Sequence, residues 1–236
     1  MRNFYIDGTS SATYNIYASG ENAYNAAERN VESISVPGRN GDLLIDNGTF
    51  KNIDVKYPCV IPYGFQNNAN NIRAWLMSNS FGYHKITDDY DATHFRMGRV
   101  KGGIEFKPMY TNQAAALCDI TFDCKPQRFL TSGDTETRVY SGNSINNPTA
   151  FTANPQIRCV TVTAGAALTI NGKKIKFLSG GSFNIDCENQ RVYYGFNELN
   201  DSIECEEFPS LSSGSNSISW TGTISAVYVK PRWWEI

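Results

Sequence analysis

Residues 36–47 read VPGRNGDLLIDN, a turn-forming segment that leads into a short apolar stretch and then into a second turn. Proline presets φ for a turn and glycine permits positive φ, so Pro37, Gly38 and Gly41 predict a projecting loop or hairpin. Its tip would present an arginine beside an aspartate. An ordinary surface turn explains this pattern locally. The alternative, a contact surface, depends on the rest of the chain.

Two strand patterns flank this segment. Residues 31–36 alternate polar and apolar side chains, as a half-buried strand does. Residues 52–61 have a clean period of two, with apolar side chains at Ile53, Val55, Tyr57, Cys59 and Ile61. Pro58 has no N–H to donate, which predicts that this strand lies at a sheet edge. Such an edge could pair with another subunit, or Lys56 and Pro58 could be there to prevent pairing.

Length and composition predict a mainly β protein of two small domains. The chain has 236 residues, of which 41% are hydrophobic and 19% are charged. This suits one large β domain or two of ordinary size, and we favour two. Apolar residues become scarce at 134–149, which predicts a linker. We expect an N-terminal β-sandwich or barrel-like domain at 1–133 and a C-terminal β-sandwich at 150–236, with the last residues assigned to either.

One helix and several strands are predicted within these domains. Apolar residues at i, i+3 and i+4 predict a helix at about 68–78 that begins with an asparagine cap. Residues 117–124 alternate again and should bury their even-numbered side chains. In the second half, Asn171-Gly172 is the pair preferred in two-residue hairpin turns and lies between two apolar strands.

The charge balance argues against a surface built to hold nucleic acid. The chain has 21 basic and 23 acidic side chains, for a net charge of -2, whereas phosphate binding requires an excess of basic charge. A mean hydropathy of -0.39 argues against a membrane span, and the start lacks the apolar core of a secretory signal. Six cysteines occur without a CxxC pair, so we favour buried free thiols over disulfides.

Motifs for catalysis or metal binding are weak. Both histidines fall in one acidic cluster that comprises His84, Asp88, Asp89, Asp91 and His94. Its spacing matches no zinc or calcium pattern, so a solvated turn is the simpler interpretation and a metal site the alternative. No GxSxG, Walker or GxGxxG motif occurs in the sequence. We therefore expect no enzymatic activity, no catalytic residues, no bound metal and no cofactor.

Several aromatic residues of the second half could form a stacking platform for sugars. They are Tyr193, Tyr194, Trp220, Trp233 and Trp234. Aromatic residues at alternating strand positions are more often core or interface residues. A carbohydrate-binding module that recognises cell-wall polymers of a host is therefore the alternative function and not the first.

Four segments occur in the order VPGRNGDLL, GYHKITDDYDATHFRMGRV, CDITFDCKPQRFLTSG and PRWWEI. Together they resemble the distal tail protein (Dit) family of long-tailed, siphovirus-type bacteriophages, over nearly the whole chain. The resemblance implies an N-terminal domain with one helix, six copies of which close into a ring, and a galectin-like C-terminal β-sandwich. It implies a structural protein of the virion.

The resemblance also implies partners and a location. A homo-hexameric ring would act as a baseplate hub that joins the tail tube to the baseplate or tip and anchors host-adhesion proteins. Its neighbours would be the tail tube protein, the tail-associated tip protein, the tape measure protein and, in many phages, receptor-binding proteins. DNA would pass through the channel without specific binding, and no membrane is involved. The protein would be part of the virion tail after assembly in the bacterial host cytoplasm.

One departure from the family pattern limits what carries over. The galectin sugar signature contains a histidine, and no histidine follows His94, so lectin activity is not implied. Closed rings need two different surfaces that fit each other. The candidate subunit-interface residues are therefore the projecting turn and the edge strand: Pro37, Gly38, Arg39, Gly41, Asp42, Lys56 and Pro58.

Overall fold

The computed structural model describes residues 2–19, 25–109 and 114–236. The fold is mainly antiparallel β-sheet with one α-helix, as the sequence predicts. The chain divides into two compact units: the first runs to Arg128 and includes Ile236, and the second is Phe129–Glu235. Among the helices in the described ranges, none is long and apolar enough to cross a bilayer.

The first unit is built from short strands around one helix. A 3₁₀ turn spans Ser11–Tyr14 and the helix α1 spans Phe65–Ser78. The strands are β1 (Phe4–Ile6), β2 (Thr9–Ser10), β3 (Tyr17–Ala18), β4 (Arg29–Ile34), β5 (Leu43–Phe50), β6 (Ile53–Ile61), β7 (His84–Asp88), β8 (His94–Val100), β9 (Phe106–Met109) and β10 (Ala115–Leu130). The long strand β10 continues into the second unit.

The main sheet of the first unit has the order β2-β1-β7-β8-β10-β6-β3, and β9 also pairs with β10. The helix closes its core: Ile72 and Leu76 are fully buried, and Trp75 stacks on Tyr14 with ring centroids 4.5 Å apart. The even-numbered residues 118–124 of β10 are buried, which confirms the predicted alternation. Burial of the apolar face of each element therefore organises this unit.

The predicted edge position of β6 is only partly right. β10 pairs with all nine residues of β6 on one side, whereas the two-residue strand β3 pairs with it on the other. The carbonyl of Pro58 accepts a hydrogen bond from the Ser19 N–H (2.9 Å), so it points away from β10. The nitrogen and carbonyl of one strand residue point to the same side. The missing N–H of Pro58 therefore falls on the sparsely paired side, just beyond the two residues that β3 pairs, and leaves the ladder with β10 intact.

The helix begins at Phe65, before the predicted start, and an asparagine cap is not used. Its N-cap is Gly64, with φ +70° and no side-chain cap hydrogen bond. Phe65 is buried against Phe106, with ring centroids 5.4 Å apart, and its N–H donates to the Ala114 carbonyl (3.0 Å). Tertiary contacts, rather than a local cap, therefore fix the first turn.

The second unit is a two-sheet β structure. Its short 3₁₀ turns span Thr131–Asp134 and Asn200–Ser202. Its strands are β11 (Thr137–Val139), β12 (Ser144–Asn147), β13 (Gln156–Val162), β14 (Ala167–Ile170), β15 (Lys173–Phe177), β16 (Gly181–Asp186), β17 (Arg191–Tyr194), β18 (Asn197–Glu198), β19 (Ile203–Glu204), β20 (Gly214–Thr221), β21 (Ile224–Lys230) and β22 (Trp234–Glu235).

The two sheets of this unit have the orders β11-β21-β13-β16-β17-β18 and β12-β20-β14-β15-β19. They pack face to face, because one buried cluster joins residues of both sheets. Phe177 of one sheet and Phe183 of the other have ring centroids 4.9 Å apart. The buried Trp233 also belongs to this cluster, and the N–H of Leu130 donates to its carbonyl (2.9 Å).

The segment expected as a linker, 134–149, is instead part of the second unit. It contains β11 and β12, which pair with β21 and β20 at the edges of the two sheets. Its polar residues are satisfied internally: Asn147 is buried and its Nδ2 donates to the carbonyls of Phe151 (2.9 Å) and Leu211 (3.0 Å). Low apolar content therefore marks short edge strands here and not a flexible connection.

Candidate subunit interface

The segment 36–42 is the turn of a β-hairpin, as predicted. β4 and β5 pair antiparallel from Ile34↔Leu43 back to Arg29↔Phe50, with an irregularity between residues 29 and 31. Gly38 and Gly41 both have φ +81°, a conformation that L side chains rarely adopt. The turn predicted from proline and glycine is therefore confirmed, although β4 ends at Ile34 and not at Val36.

Side chains of the hairpin itself hold its two strands together. Arg29 donates to Asp46 (Nη2–Oδ2 2.6 Å), and its guanidinium lies over the ring of Phe50. This hydrogen bond holds the pKa of Asp46 below its ordinary value. Nearer the tip, the Ser33 hydroxyl donates to Asp42 Oδ2 (2.6 Å). The four hydrogen-bonded side chains, of Arg29, Asp46, Ser33 and Asp42, are exposed. These contacts therefore fix the register and add little stability.

The apolar residues of the hairpin are exposed to solvent. Leu43, Leu44 and Ile45 are 42%, 67% and 41% exposed, and Ile34 is 38% exposed. The half-buried strand expected at 31–36 is thus largely exposed, because β4 and β5 form a separate two-stranded sheet. A hairpin that buries no apolar face is marginally stable in water. Ile34, Leu43 and Ile45 share one face of the hairpin and Leu44 lies on the other, so apolar side chains are exposed on both faces. Exposed apolar side chains of this kind make the hairpin a candidate contact surface.

The predicted interface residues fall in two places. Five of them form the exposed tip of the hairpin: Pro37, Gly38, Arg39, Gly41 and Asp42. Lys56 and Pro58 lie on β6 in the main sheet instead. Lys56 forms an ion pair with Asp119 of β10 (Nζ–Oδ2 2.8 Å). The structure therefore separates the turn and the strand into two candidate surfaces of the first unit.

The second surface is a groove of about 530 Å³, and apart from Lys56 and Pro58 none of its lining residues was predicted from the sequence. Lys56 and Pro58 line it together with Leu117, which is 42% exposed on β10. Glu105 and Lys107 add both signs of charge to its wall. It combines one exposed leucine with polar groups, which is the composition of an interface rim. The pairing of β10 with both β6 and β9 brings these residues together.

The acidic cluster considered for a metal is divided among several partners. Asp89 accepts from the Asn3 N–H (2.8 Å), and His84 bonds Asp7 (2.7 Å). Asp91 bonds His94 and Arg128. Within the described ranges no group of three or more His, Cys, Asp or Glu side chains could hold a metal ion. The carboxylates stabilise loops here, because each accepts hydrogen bonds from nearby donors.

The aromatic residues considered for sugar stacking do not converge. Trp233 is buried in the core of the second unit, and Trp234 stacks on Phe151 with ring centroids 4.4 Å apart. Trp220 lies on β20, whereas Tyr193 and Tyr194 lie on β17 of the other sheet. These side chains therefore do not form one flat platform.

All six cysteines have free thiols, and five of them are buried: Cys59, Cys118, Cys124, Cys159 and Cys187. Burial raises the pKa of Cys124 and of Cys159 to about 12. A thiol must ionise to act as a nucleophile, so these cysteines are structural side chains.

Comparison with solved structures identifies the fold. The crystal structure of the SPP1 Dit (gp 19.1) protein, described as a hub adsorption apparatus of phages that infect Gram-positive bacteria, matches with a TM-score of 0.71 and 14% identity, over 97% of this chain and 98% of that chain. The chain has the fold of a Dit protein. The resemblance read from the sequence is therefore confirmed at the level of the fold.

Two further structures agree with the Dit fold. The activated phage P2 baseplate with calcium matches with a TM-score of 0.55 and 8% identity, over 97% of each chain. The same baseplate with strontium matches with a TM-score of 0.54, also at 8% identity and over 97% of each chain. No protein-family model and no curated protein matches the sequence. The Dit fold is thus retained where sequence similarity is very low.

Proposed function

We propose that this protein is a structural component of a bacteriophage tail, a distal tail protein that assembles as a hexameric ring. The ring joins the tail tube to the baseplate or tip and anchors host-adhesion proteins. One observation carries the proposal: the likeness to the SPP1 Dit hub protein extends over 97% of the chain. Both units take part in this likeness, so it concerns the whole architecture and not a common β-sandwich alone.

The exposed hairpin supplies the physical reason for assembly. Leu43, Leu44 and Ile45 keep about half of their surface in water. Burying the remaining apolar area of three such side chains contributes on the order of 3 kcal/mol per contact. Each copy in a closed ring makes this contact with the next copy. The total gain therefore multiplies around the ring, which favours the complete assembly over the separate subunits.

In a cyclic ring each copy contacts its two neighbours through two different surfaces. The hairpin β4–β5 is the surface that projects, with Arg39 and Asp42 at its tip. The groove beside Lys56 and Pro58 is the proposed receiving surface, because the exposed side chain of Leu117 in its wall is not covered within the first unit. These two surfaces differ, as a heterologous contact demands.

The same proposal accounts for the charge of the chain. A net charge of -2 supplies no basic excess for neutralising phosphates. A ring of such subunits lets DNA pass through its channel without specific binding. The other neighbours would be the tail tube protein, the tail-associated tip protein, the tape measure protein and receptor-binding proteins. The protein would be incorporated into the virion tail after assembly in the host cytoplasm, and its role is structural and not enzymatic.

The mass of the purified protein and its shape in negative stain test this proposal. We expect rings with a central channel and the mass of six chains of 26.3 kDa. Leu44→Asp should reduce the assembled fraction at least tenfold, because a carboxylate cannot be buried at an apolar contact without a large cost.

Leu178→Asp is the matched control. Leu178 is 50% exposed and lies in the second unit, away from the hairpin in sequence. This variant should keep the wild-type mass. A wild-type protein that stays monomeric at every concentration would contradict the proposal, as would equal losses in the two variants.

A further inference from the structure

A cavity of about 270 Å³ opens inside the first unit and has no role in the proposed assembly. Its wall combines apolar side chains with an unusual number of polar and charged ones. The polar side chains that line it are Asn25, Tyr57, Thr87, Asp88, Asp91, His94, Arg96 and Arg128. Two guanidinium groups therefore face a small space at one end of a hydrophobic core.

Strand β8 places Arg96 toward this interior. Side chains two residues apart on a strand share a face, and Gly98 and Val100 of β8 are buried. Arg96 shares that face and lies beside Cys124 and Tyr57, which also line the cavity. Burial lowers the pKa of Arg96, although a guanidinium still remains charged at neutral pH. The strand thus carries a permanent positive charge into the interior.

This guanidinium has no partner in the described part of the chain. No hydrogen bond or ion pair there involves Arg96, and its Nη1 is shielded from solvent. The same wall contains a second unsatisfied atom, Asn25 Oδ1, while the Nδ2 of that side chain donates to the Asp54 carbonyl (2.9 Å). Arg96 is half-buried, and a partly desolvated guanidinium whose Nη1 has no hydrogen-bond partner is costly, so its retention requires an explanation.

The carboxylate of Asp88, which lines the same cavity, is already occupied. Its Oδ2 accepts from the Tyr57 hydroxyl, and its Oδ1 accepts from the backbone N–H groups of Tyr90 (2.9 Å) and Asp91 (3.0 Å). These bonds orient the carboxylate toward its own turn. Asp88 therefore acts on Arg96 through space and does not hydrogen-bond it.

The second carboxylate, Asp91, is occupied as well. Its Oδ2 lies 2.6 Å from Arg128 Nη2 and 2.8 Å from His94 Nδ1. Burial alone would raise the pKa of Asp91, but hydrogen bonds from Thr93 and Arg128 hold it at about 2. Asp91 is therefore ionised and bonded to Arg128, which leaves the guanidinium of Arg96 as the charged group of the wall without a hydrogen-bond partner.

We propose that this cavity binds a small oxyanion of the phosphate or carboxylate class, held by the guanidinium of Arg96. The planar fork of N–H donors in arginine fits two oxygens of such a group, and the bond is charge-assisted on both sides. The free acceptor on Asn25 suits an anion that also has an O–H group, as hydrogen phosphate does. One ligand would then satisfy both unpaired groups.

Thermal unfolding of the full-length protein tests this proposal. Inorganic phosphate or acetate is titrated into a chloride buffer at constant ionic strength. At an anion concentration about ten times Kd we expect Tm to rise by about 3–5 °C. Arg96→Gln should abolish this rise. Arg99→Gln should keep it, because Arg99 is on the same strand but is exposed and paired with Asp123 (3.1 Å).

A second measurement separates ligand binding from a structural role of Arg96. Without added oxyanion, Arg96→Gln should unfold at the wild-type Tm or above it, because the substitution removes a half-buried charge that has no hydrogen-bond partner. The proposal fails if neither anion raises Tm or if Arg96→Gln shows the same rise as the wild type. It also fails if Arg96→Gln lowers Tm by several degrees or does not fold, since the protein itself would then satisfy this guanidinium.

Discussion

Two hairpins of this protein both turn through residues with positive φ, but they have opposite surroundings. β4–β5 turns through Gly38 and Gly41, and β14–β15 turns through Asn171 and Gly172, all with positive φ. The first exposes its apolar residues, whereas the second buries Leu168, Ile170, Ile175 and Phe177 completely. Turn chemistry therefore makes a hairpin but does not decide what covers it. The buried hairpin stabilises its own unit, and the exposed one is available to another molecule.

The largest expected difference between the hairpins comes from truncating one apolar side chain in each. Phe177→Ala removes a fully buried ring that contacts Phe183 and should destabilise the second unit by about 3–5 kcal/mol. Leu44→Ala should change the unfolding free energy of the monomer by less than about 0.5 kcal/mol. Urea unfolding under dilute, monomeric conditions measures both. Equal destabilisation would mean that the β4–β5 hairpin is covered within its own chain.

A smaller difference is expected from two arginine–aspartate pairs. Asp186 bonds Arg232 (2.7 Å) at the turn after β16, and Asp46 bonds Arg29 on the exposed hairpin. Burial would raise the pKa of Asp186, but the bonds from Arg232 and Asn189 hold it at about 2. The pKa of a carboxyl in the unfolded chain is about 3.9. This contribution is therefore present above pH 4 and is lost as pH falls from about 4 to about 2.

Asp186→Asn should accordingly cost about 2 kcal/mol at pH 7, and the difference from the wild type should vanish toward pH 2. Asp46→Asn is the control, because its pair is fully exposed and screened by solvent. Its effect on unfolding should be small at every pH. Urea unfolding at pH 7, 5, 4 and 3 measures both variants. A pH-independent cost of Asp186→Asn would show that packing, and not charge, is lost.

The smallest expected effect on monomer stability is at the hairpin tip. The double variant Arg39→Ala with Asp42→Ala should change the unfolding free energy by less than about 0.5 kcal/mol, because both side chains are exposed. It should nevertheless weaken ring assembly by removing polar contacts at the rim. Light scattering across a dilution series measures this. Unchanged oligomers would show that the tip lies outside the contact, while the apolar residues of β5 could still form it.

The interface candidates show which structural features a sequence pattern can predict. Pro37, Gly38 and Gly41 predicted the projecting turn correctly, because proline and glycine act on their own backbone. The edge position predicted for β6 from Lys56 and Pro58 was only partly right, since sheet order depends on which distant strand pairs with β6. The linker expected at 134–149 is wrong for the same reason. Its polar residues gain order from edge pairing that local composition does not reveal.

The sequence by itself determined the alternating strands, the body and end of the helix and the turns, because each is set by neighbours within a few residues. Only the tertiary structure decided that β4–β5 is exposed and that Arg96 enters the core without a partner. Burial depends on contacts between residues far apart in the chain. An exposed leucine and a half-buried arginine therefore look ordinary in the sequence and become informative only in the fold.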